Sequence, residues 1–342
     1  MFHNNKKVYL DYSLCLKAEE IDLIKSFTEW LPDKIIDCHV HCNLPEHVIS
    51  MEEKIYKHMG STFSSFSLEE SQFLKNIFFP GKTVRSLRFA QVFRGINHYK
   101  ANQYLLESSK QEDRVALFGL PEDEEYTISM LSNPRVSALK MYYSYVEPTA
   151  TKIYEFFKPK ILEEAQTLGI PIILHLPKII TESKGDLKQV LKDFPNLKIS
   201  IAHLGSLKVL IPQLKSVFKE FTTYENIFLD TALNPSPEIV KLALDIFGED
   251  RIMFGSDEPL YLIRSQVFIH PKKGQWLITE YLYHWVDEEN HRLYSHLASG
   301  VIHSHWLSMN AIRSAINTFT APERERIKEK VFYKNAKTFF KF

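Results

Sequence analysis

Lys34-Ile35-Ile36-Asp37-Cys38-His39-Val40-His41 is a β-branched apolar run that ends in two histidines one residue apart. Side chains alternate faces along a strand, so His39 and His41 are expected on one side and Cys38 and Val40 on the other. Two imidazoles converging at a strand's carboxyl end are placed to grip one metal ion. Without further ligands the pair would be two solvated histidines, because so short a motif often matches by chance. The decision rests on what ends the other strands.

Beyond this run, short β-rich segments alternate with longer amphipathic stretches, as in a parallel sheet with crossover helices. After a leading helix at about 16–30, strands are expected at 35–39, 86–93, 115–120, 136–141, 170–175, 197–202, 226–230 and 251–255. Helices are expected at 151–168, 187–194, 207–221 and 237–247, with Ser67 and Glu70 as a capping box for an earlier one. A last helix should start near Thr320-Ala321-Pro322, where proline is tolerated. Eight strand-helix units argue for a closed (β/α)8 barrel over residues 35–342, preceded by a helical extension over 1–34 that packs on it. No Gly-rich turn follows the first strand, which argues against a dinucleotide-binding sheet.

A barrel of this kind carries its chemistry at the carboxyl ends of its strands. The fourth ends in Lys140, the fifth in His175, the sixth in His203 and the eighth in Gly255-Ser256-Asp257. The ordered set His39-x-His41, Lys140, His175, His203 and Asp257 resembles the amidohydrolase superfamily of metal-dependent barrels. Gly255-Ser256-Asp257 and Asn335-Ala336-x-x-x-Phe340 resemble in particular its branch of amidohydrolases and non-oxidative decarboxylases. The resemblance implies that His39, His41, His175 and Asp257 bind a divalent metal, and that His203 binds a second ion or polarises the substrate. One zinc ion is the expectation, although the same ligands suit manganese, iron or cobalt.

Asp257 and His203 are the expected catalytic groups, the first moving a proton and the second stabilising an oxyanion. Lys140 has three readings: carboxylated and bridging two metals, unmodified and binding a substrate carboxylate, or structural with its charge reaching solvent. Arg94, at the end of the second strand, would clamp a substrate carboxylate or make a surface ion pair. Tyr142, with Tyr143 and Tyr145, would wall a substrate pocket or pack within a loop. The expected activity is hydrolysis of an amide, lactone or related C–N or C–O bond of a small molecule. Decarboxylation of a small carboxylic acid is the alternative, and a non-catalytic binding barrel a third.

Composition narrows the partners. The 342 residues carry 42 Lys and Arg against 42 Asp and Glu, so nothing favours nucleic acid or an anionic membrane, and a small molecule is expected. Cys15, Cys38 and Cys42 form no Cys-x-x-Cys pair, and the first dozen residues lack the apolar core of a signal peptide, so a cytoplasmic protein is expected.

A second His-x-His occurs at His303-Ser304-His305. Its surroundings have helical periodicity, and residues two apart on a helix point about 200° away from each other, so this pair should not share a metal. The aromatic stretch 274–318 is expected to be helical, as part of a C-terminal helical region over 274–342. It would cover the barrel mouth or form the interface of a homodimer, and His284 or His303 would be its contribution to the substrate site.

Overall fold

The computed structural model describes residues 16–51, 63–146, 148–272, 274–283 and 286–342. Helix α1 (Ala18–Trp30) leads into β1 (Lys34–His41), and the capping-box helix α2 (Leu68–Phe78) precedes β2 (Thr83–Phe89). There follow α3 (His98–Ser108), β3 (Arg114–Phe118), α4 (Glu124–Leu131), β4 (Val136–Met141), α5 (Ile153–Phe156), α6 (Pro159–Leu168), β5 (Ile172–Leu174) and α7 (Ile180–Asp193). The unit repeats through β6 (Ile199–Ile201), α8 (Pro212–Phe221), β7 (Ile227–Asp230), α9 (Pro237–Phe247) and β8 (Ile252–Met253). All eight expected strands are present and pair in parallel in sequence order, which makes this a (β/α)8 barrel. Its seam is stitched by backbone bonds from Cys38 N to Phe254 O (3.0 Å), His41 N to Glu258 O (2.8 Å) and Asp257 N to His39 O (2.9 Å).

Proline explains one departure from expectation. The helix expected at 151–168 is split, because Pro159 lacks the N–H that a continuous helix requires and instead opens α6. The expected cap is formed, Glu70 N donating to Ser67 Oγ at 3.1 Å, and the last helices begin at Thr320 as expected, where Thr320 N also donates to Glu323.

The strict alternation expected of β1 does not hold. Asp37 pairs with Ser86 and Val40 with Arg88, so Cys38 and His39 together oppose Leu87 in a bulge. Cys38 therefore does not face away from the histidines' side of the strand. It packs with Ile36, Leu87, Phe89, Ala116, Ala138, Ile173 and Met253 in the barrel interior. Val40 does point outward, with Leu105 and Val115. Phe339 and Phe340 plug the interior from the strands' amino ends, where Phe339 lies 4.4 Å from Phe228 and Arg114 Nε donates to Lys341 O.

The C-terminal region corrects a second expectation. Its beginning is an antiparallel hairpin, β9 (Arg264–His270) and β10 (Gly274–Thr279), to which β11 (Ile302–His303) adds. Val267, Phe268, Trp276, Leu277 and Ile278 are strong β-formers, and their pairing outweighs helical patterning. Helices follow at α10 (Glu288–Tyr294), α11 (Ser304–Ile316), α12 (Ala321–Glu329) and α13 (Asn335–Phe339). Helix α1 docks on this region through Phe27, stacked on Trp306 at 5.8 Å, and Trp30, edge-on to Phe332 at 5.7 Å. Among the described residues, no helix is long and apolar enough to cross a membrane.

Candidate metal centre

The bulge leaves His39 and His41 side by side above Phe89, with ring centroids 5.5 Å apart and 5.1 and 4.5 Å from the phenylalanine ring. Each Nδ1 is held by an acceptor: His39 donates to Asp230 Oδ2 at 3.0 Å and His41 to the Ala90 carbonyl at 3.1 Å. Carboxylates and carbonyls only accept, so in the neutral rings both Nε2 atoms carry lone pairs. Those lone pairs face Asp257 Oδ1, 3.4 Å from His39 and 3.1 Å from His41.

Burial pushes the His39 pKa down and, acting alone, would raise that of Asp257; the neighbouring histidines instead hold the Asp257 carboxyl well below its usual range. With the rings neutral, three groups of acceptors converge within 4.8 Å, and the site needs positive charge between them, supplied either by ring protons, which would hold the Asp257 carboxyl low, or by a metal ion. Neutral imidazoles with an ionised carboxylate are the donor set and protonation state that a divalent ion requires, and the residues fit one.

The backbone supports this geometry at some cost. Gly255 lies so close to β1 that a Cβ there would come within 2.8 Å of His39 Cβ, so the eighth-strand approach requires glycine. Asp37 Oδ1 accepts from His39 N at 3.2 Å and Ser256 N at 2.9 Å, bridging the two ligand-bearing segments. His203, Leu204, Ser206, Leu233 and Asp257 all adopt positive φ, between 44° and 65°. At about 1–2 kcal/mol each for non-glycine residues, this strain persists because the surrounding contacts over-determine it.

His203 and His175 complete the cluster. His203 Nδ1 donates to the Ala232 carbonyl at 2.8 Å, leaving its Nε2 as a proton acceptor, and burial pushes its pKa down. Its ring centroid is 4.9 Å from that of His39 and 4.7 Å from that of His175. His175 lies outside the 4.8 Å trio, its ring 5.0 Å from that of Tyr142. Burial, followed by the charge of His203, holds its pKa well below the usual value.

Asp230 is a site residue that the sequence reading missed. Besides orienting His39, it accepts from His203 N at 2.8 Å and Ala232 N at 3.1 Å, so one carboxylate at the end of β7 positions two of the histidines.

Lys140 is buried beneath the cavity, with Nζ 5.2 Å from the Phe89 centroid and no hydrogen-bond partner among the described residues. Burial lowers its pKa to about 8, opposed by the charges of Asp230 and Asp257. A solvent-reaching structural lysine is therefore not what is observed.

Arg94 ties two loops together, with Nε and Nη2 each donating at 2.6 Å, to the carbonyls of Ser144 and Val146, and it is absent from the cavity wall. Glu258 turns away from Asp257 and accepts from Tyr261 Oη at 3.2 Å. His303 also serves elsewhere, bonded to Glu20 and fully buried; His284 lies outside the described residues.

Above the cluster opens a cavity of about 490 Å³. Tyr142, Tyr143, His175, His203 and Asp257 are among its lining residues. Ile263, Leu277 and Leu307 close it from the hairpin and α11, so the C-terminal region does cover part of the barrel mouth.

A family model described as Amidohydrolase matches residues 36–342. Among solved structures, an amidohydrolase 2 from Bifidobacterium longum subsp. infantis is similar, with 14% identity over 91% of this chain and 100% of that one (TM-score 0.58). A 5-carboxyvanillate decarboxylase from Novosphingobium aromaticivorans, complexed with manganese, shares 12% identity over 92% and 97% (TM-score 0.56). A putative 2-pyrone-4,6-dicarboxylic acid hydrolase from Pseudomonas putida shares 14% over 91% and 98% (TM-score 0.57). These likenesses are of fold. No curated protein matches the sequence significantly.

Proposed function

Because the chain belongs to the amidohydrolase family, we propose that it is a metal-dependent hydrolase of a C–N or C–O bond, as in an amide or lactone, in a small organic molecule. The carrying observation is the convergence of the His39 and His41 lone pairs on Asp257 beside a fourth acceptor, His203 Nε2. We assign His39, His41, His175 and Asp257 to one divalent ion, taken as zinc, with manganese the alternative named in a structural neighbour. Bound there, it would act as a Lewis acid toward the substrate and acidify a water molecule.

The chain's own groups then divide the work. Hydrolysis removes a proton from water and delivers one to the leaving group, and the second Asp257 oxygen is the shuttle between them. His203, once protonated at Nε2, donates to the oxygen on which charge develops. The Lys140 ammonium, buried beneath the cavity, favours a substrate carboxylate through its charge, and Tyr142 forms the wall on which the substrate lies. Water is excluded by the hairpin and α11.

Decarboxylation is the second reading, and the Lys140 ammonium, without a hydrogen-bond partner among the described residues, favours it, because a buried cation suits a carboxylate substrate. The two separate in oxygen-18 water with metal-loaded protein and a panel of lactones, anilides and hydroxybenzoates. Hydrolysis puts solvent oxygen into the product. Carbon dioxide release with no label in the organic product would overturn the first reading in favour of the second.

A further inference from the structure

The cavity wall carries one cation that the proposed chemistry does not use. Lys208 lies in the segment between β6 and α8 and lines the same cavity as His175, His203 and Asp257. The position of this segment is set: Asn234 Nδ2 donates to the Leu207 carbonyl at 2.7 Å, and the turn before it is left-handed through Ser206. Among the described residues no hydrogen bond or ion pair engages the Lys208 ammonium. Lys208 is an exposed residue on the wall of this cavity, so its ammonium is accessible to a bound molecule.

We propose that Lys208 is a specificity-determining residue that receives a second acidic group of the substrate, making the substrate class a small, largely apolar molecule with two anionic groups. This rests on the enzyme reading above and names the substrate of that same site. Leu207, Leu233, Leu260, Ile263, Leu277 and Leu307 supply a wall for the apolar body. One acidic group would sit by the His39, His41 and Asp257 cluster and the other at Lys208, the cation on the cavity wall. An ammonium on the cavity wall that lacks a protein partner among the described residues gains a charge-assisted contact from an anionic ligand.

The test is calorimetric binding of two probes, benzoate and isophthalate, to metal-loaded and to chelator-treated protein. Wild-type protein should bind isophthalate about ten-fold more tightly, the effect of one added charge-assisted contact. In Lys208→Met the ratio of dissociation constants should fall toward one, and Lys208→Arg should retain most of it. Lys208→Glu should reverse the preference, favouring 3-(aminomethyl)benzoate over isophthalate. Equal affinities in the wild type, no measurable isophthalate binding at millimolar concentration, or a Met variant that keeps the ratio would each overturn the assignment. Should chelation leave both affinities unchanged while the Lys208-dependent ratio persists, the metal reading fails and this one stands.

Discussion

His39 and His41 present ring nitrogens 3.4 and 3.1 Å from one Asp257 oxygen, whereas His303 and His305, with the same spacing, split between the end of β11 and the start of α11. In the second pair His303 Nδ1 lies 2.5 Å from Glu20, and His305 is packed among Phe78, Phe79, Tyr261 and Trp306. Both pairs are buried, so burial does not distinguish them. What differs is the backbone beneath and the acceptors around. On β1 both Nδ1 atoms are occupied and both Nε2 atoms converge on a carboxylate, while at 303–305 His303 bonds to Glu20 and His305 packs among aromatic rings.

Breaking the first pair should have the largest effect. His41→Ala and Asp257→Ala are expected to remove stoichiometric metal, read by elemental analysis, and to cut turnover on the order of 1,000-fold. His305→Leu should leave metal content at the wild-type level. Equal metal loss in both would mean that the comparison is wrong.

Asp230→Asn should weaken metal affinity about 10- to 100-fold in a competitive chelator titration, since the amide holds His39 less firmly and can offer it the wrong atom. Metal affinity equal to wild type would reduce Asp230 to a packing role.

Glu20→Gln should act on stability instead. Burial alone would raise the Glu20 pKa, but His303, together with backbone N–H donors from His303 and Lys17, lowers it from 4.5 to about 2. A depressed carboxyl contributes stability that is complete above pH 4.5 and lost as the pH falls through 2. The variant should therefore lose about 3 kcal/mol at pH 7, with metal content unchanged, and its stability should vary less between pH 4.5 and 2 in urea titrations.

His305→Leu should give the smallest change, within about 1 kcal/mol. Its Nε2 has no hydrogen-bond partner among the described residues and burial pulls its pKa down to about 3, so an apolar side chain of similar size suits the site.

The eight strands were legible because each is a short apolar run bounded by turn residues, and period-two patterning survives without knowledge of partners. The bulge at Cys38 was not, because it is imposed by pairing with β2 and with the segment after β8, two elements distant in sequence. Asp230 could have been found. It ends the seventh strand as His175 and His203 end theirs, and the same strand-end criterion selects it. Lys208 carries no such signal, since its place depends on how an irregular segment turns over the barrel mouth. The hairpin at 264–279 left a trace in Pro271 and Gly274 between two β-rich runs, but the aromatic residues around it fit a helical face equally well. Arg94 satisfied the strand-end rule and still became a loop tie, because a guanidinium is long enough to find carbonyls away from the cavity.

The stitched seam between β8 and β1 has a consequence for biosynthesis. The cation trio takes two members from the first strand and one from just after the last, and Asp37 joins the two segments through His39 N and Ser256 N. On the ribosome the histidine pair emerges early and must wait, unligated by Asp257, until almost the whole ring has been made. Capture of an ion by the full trio would thus be a late event that reports ring closure, and an ion held there would act as a clasp between the first strand and the last.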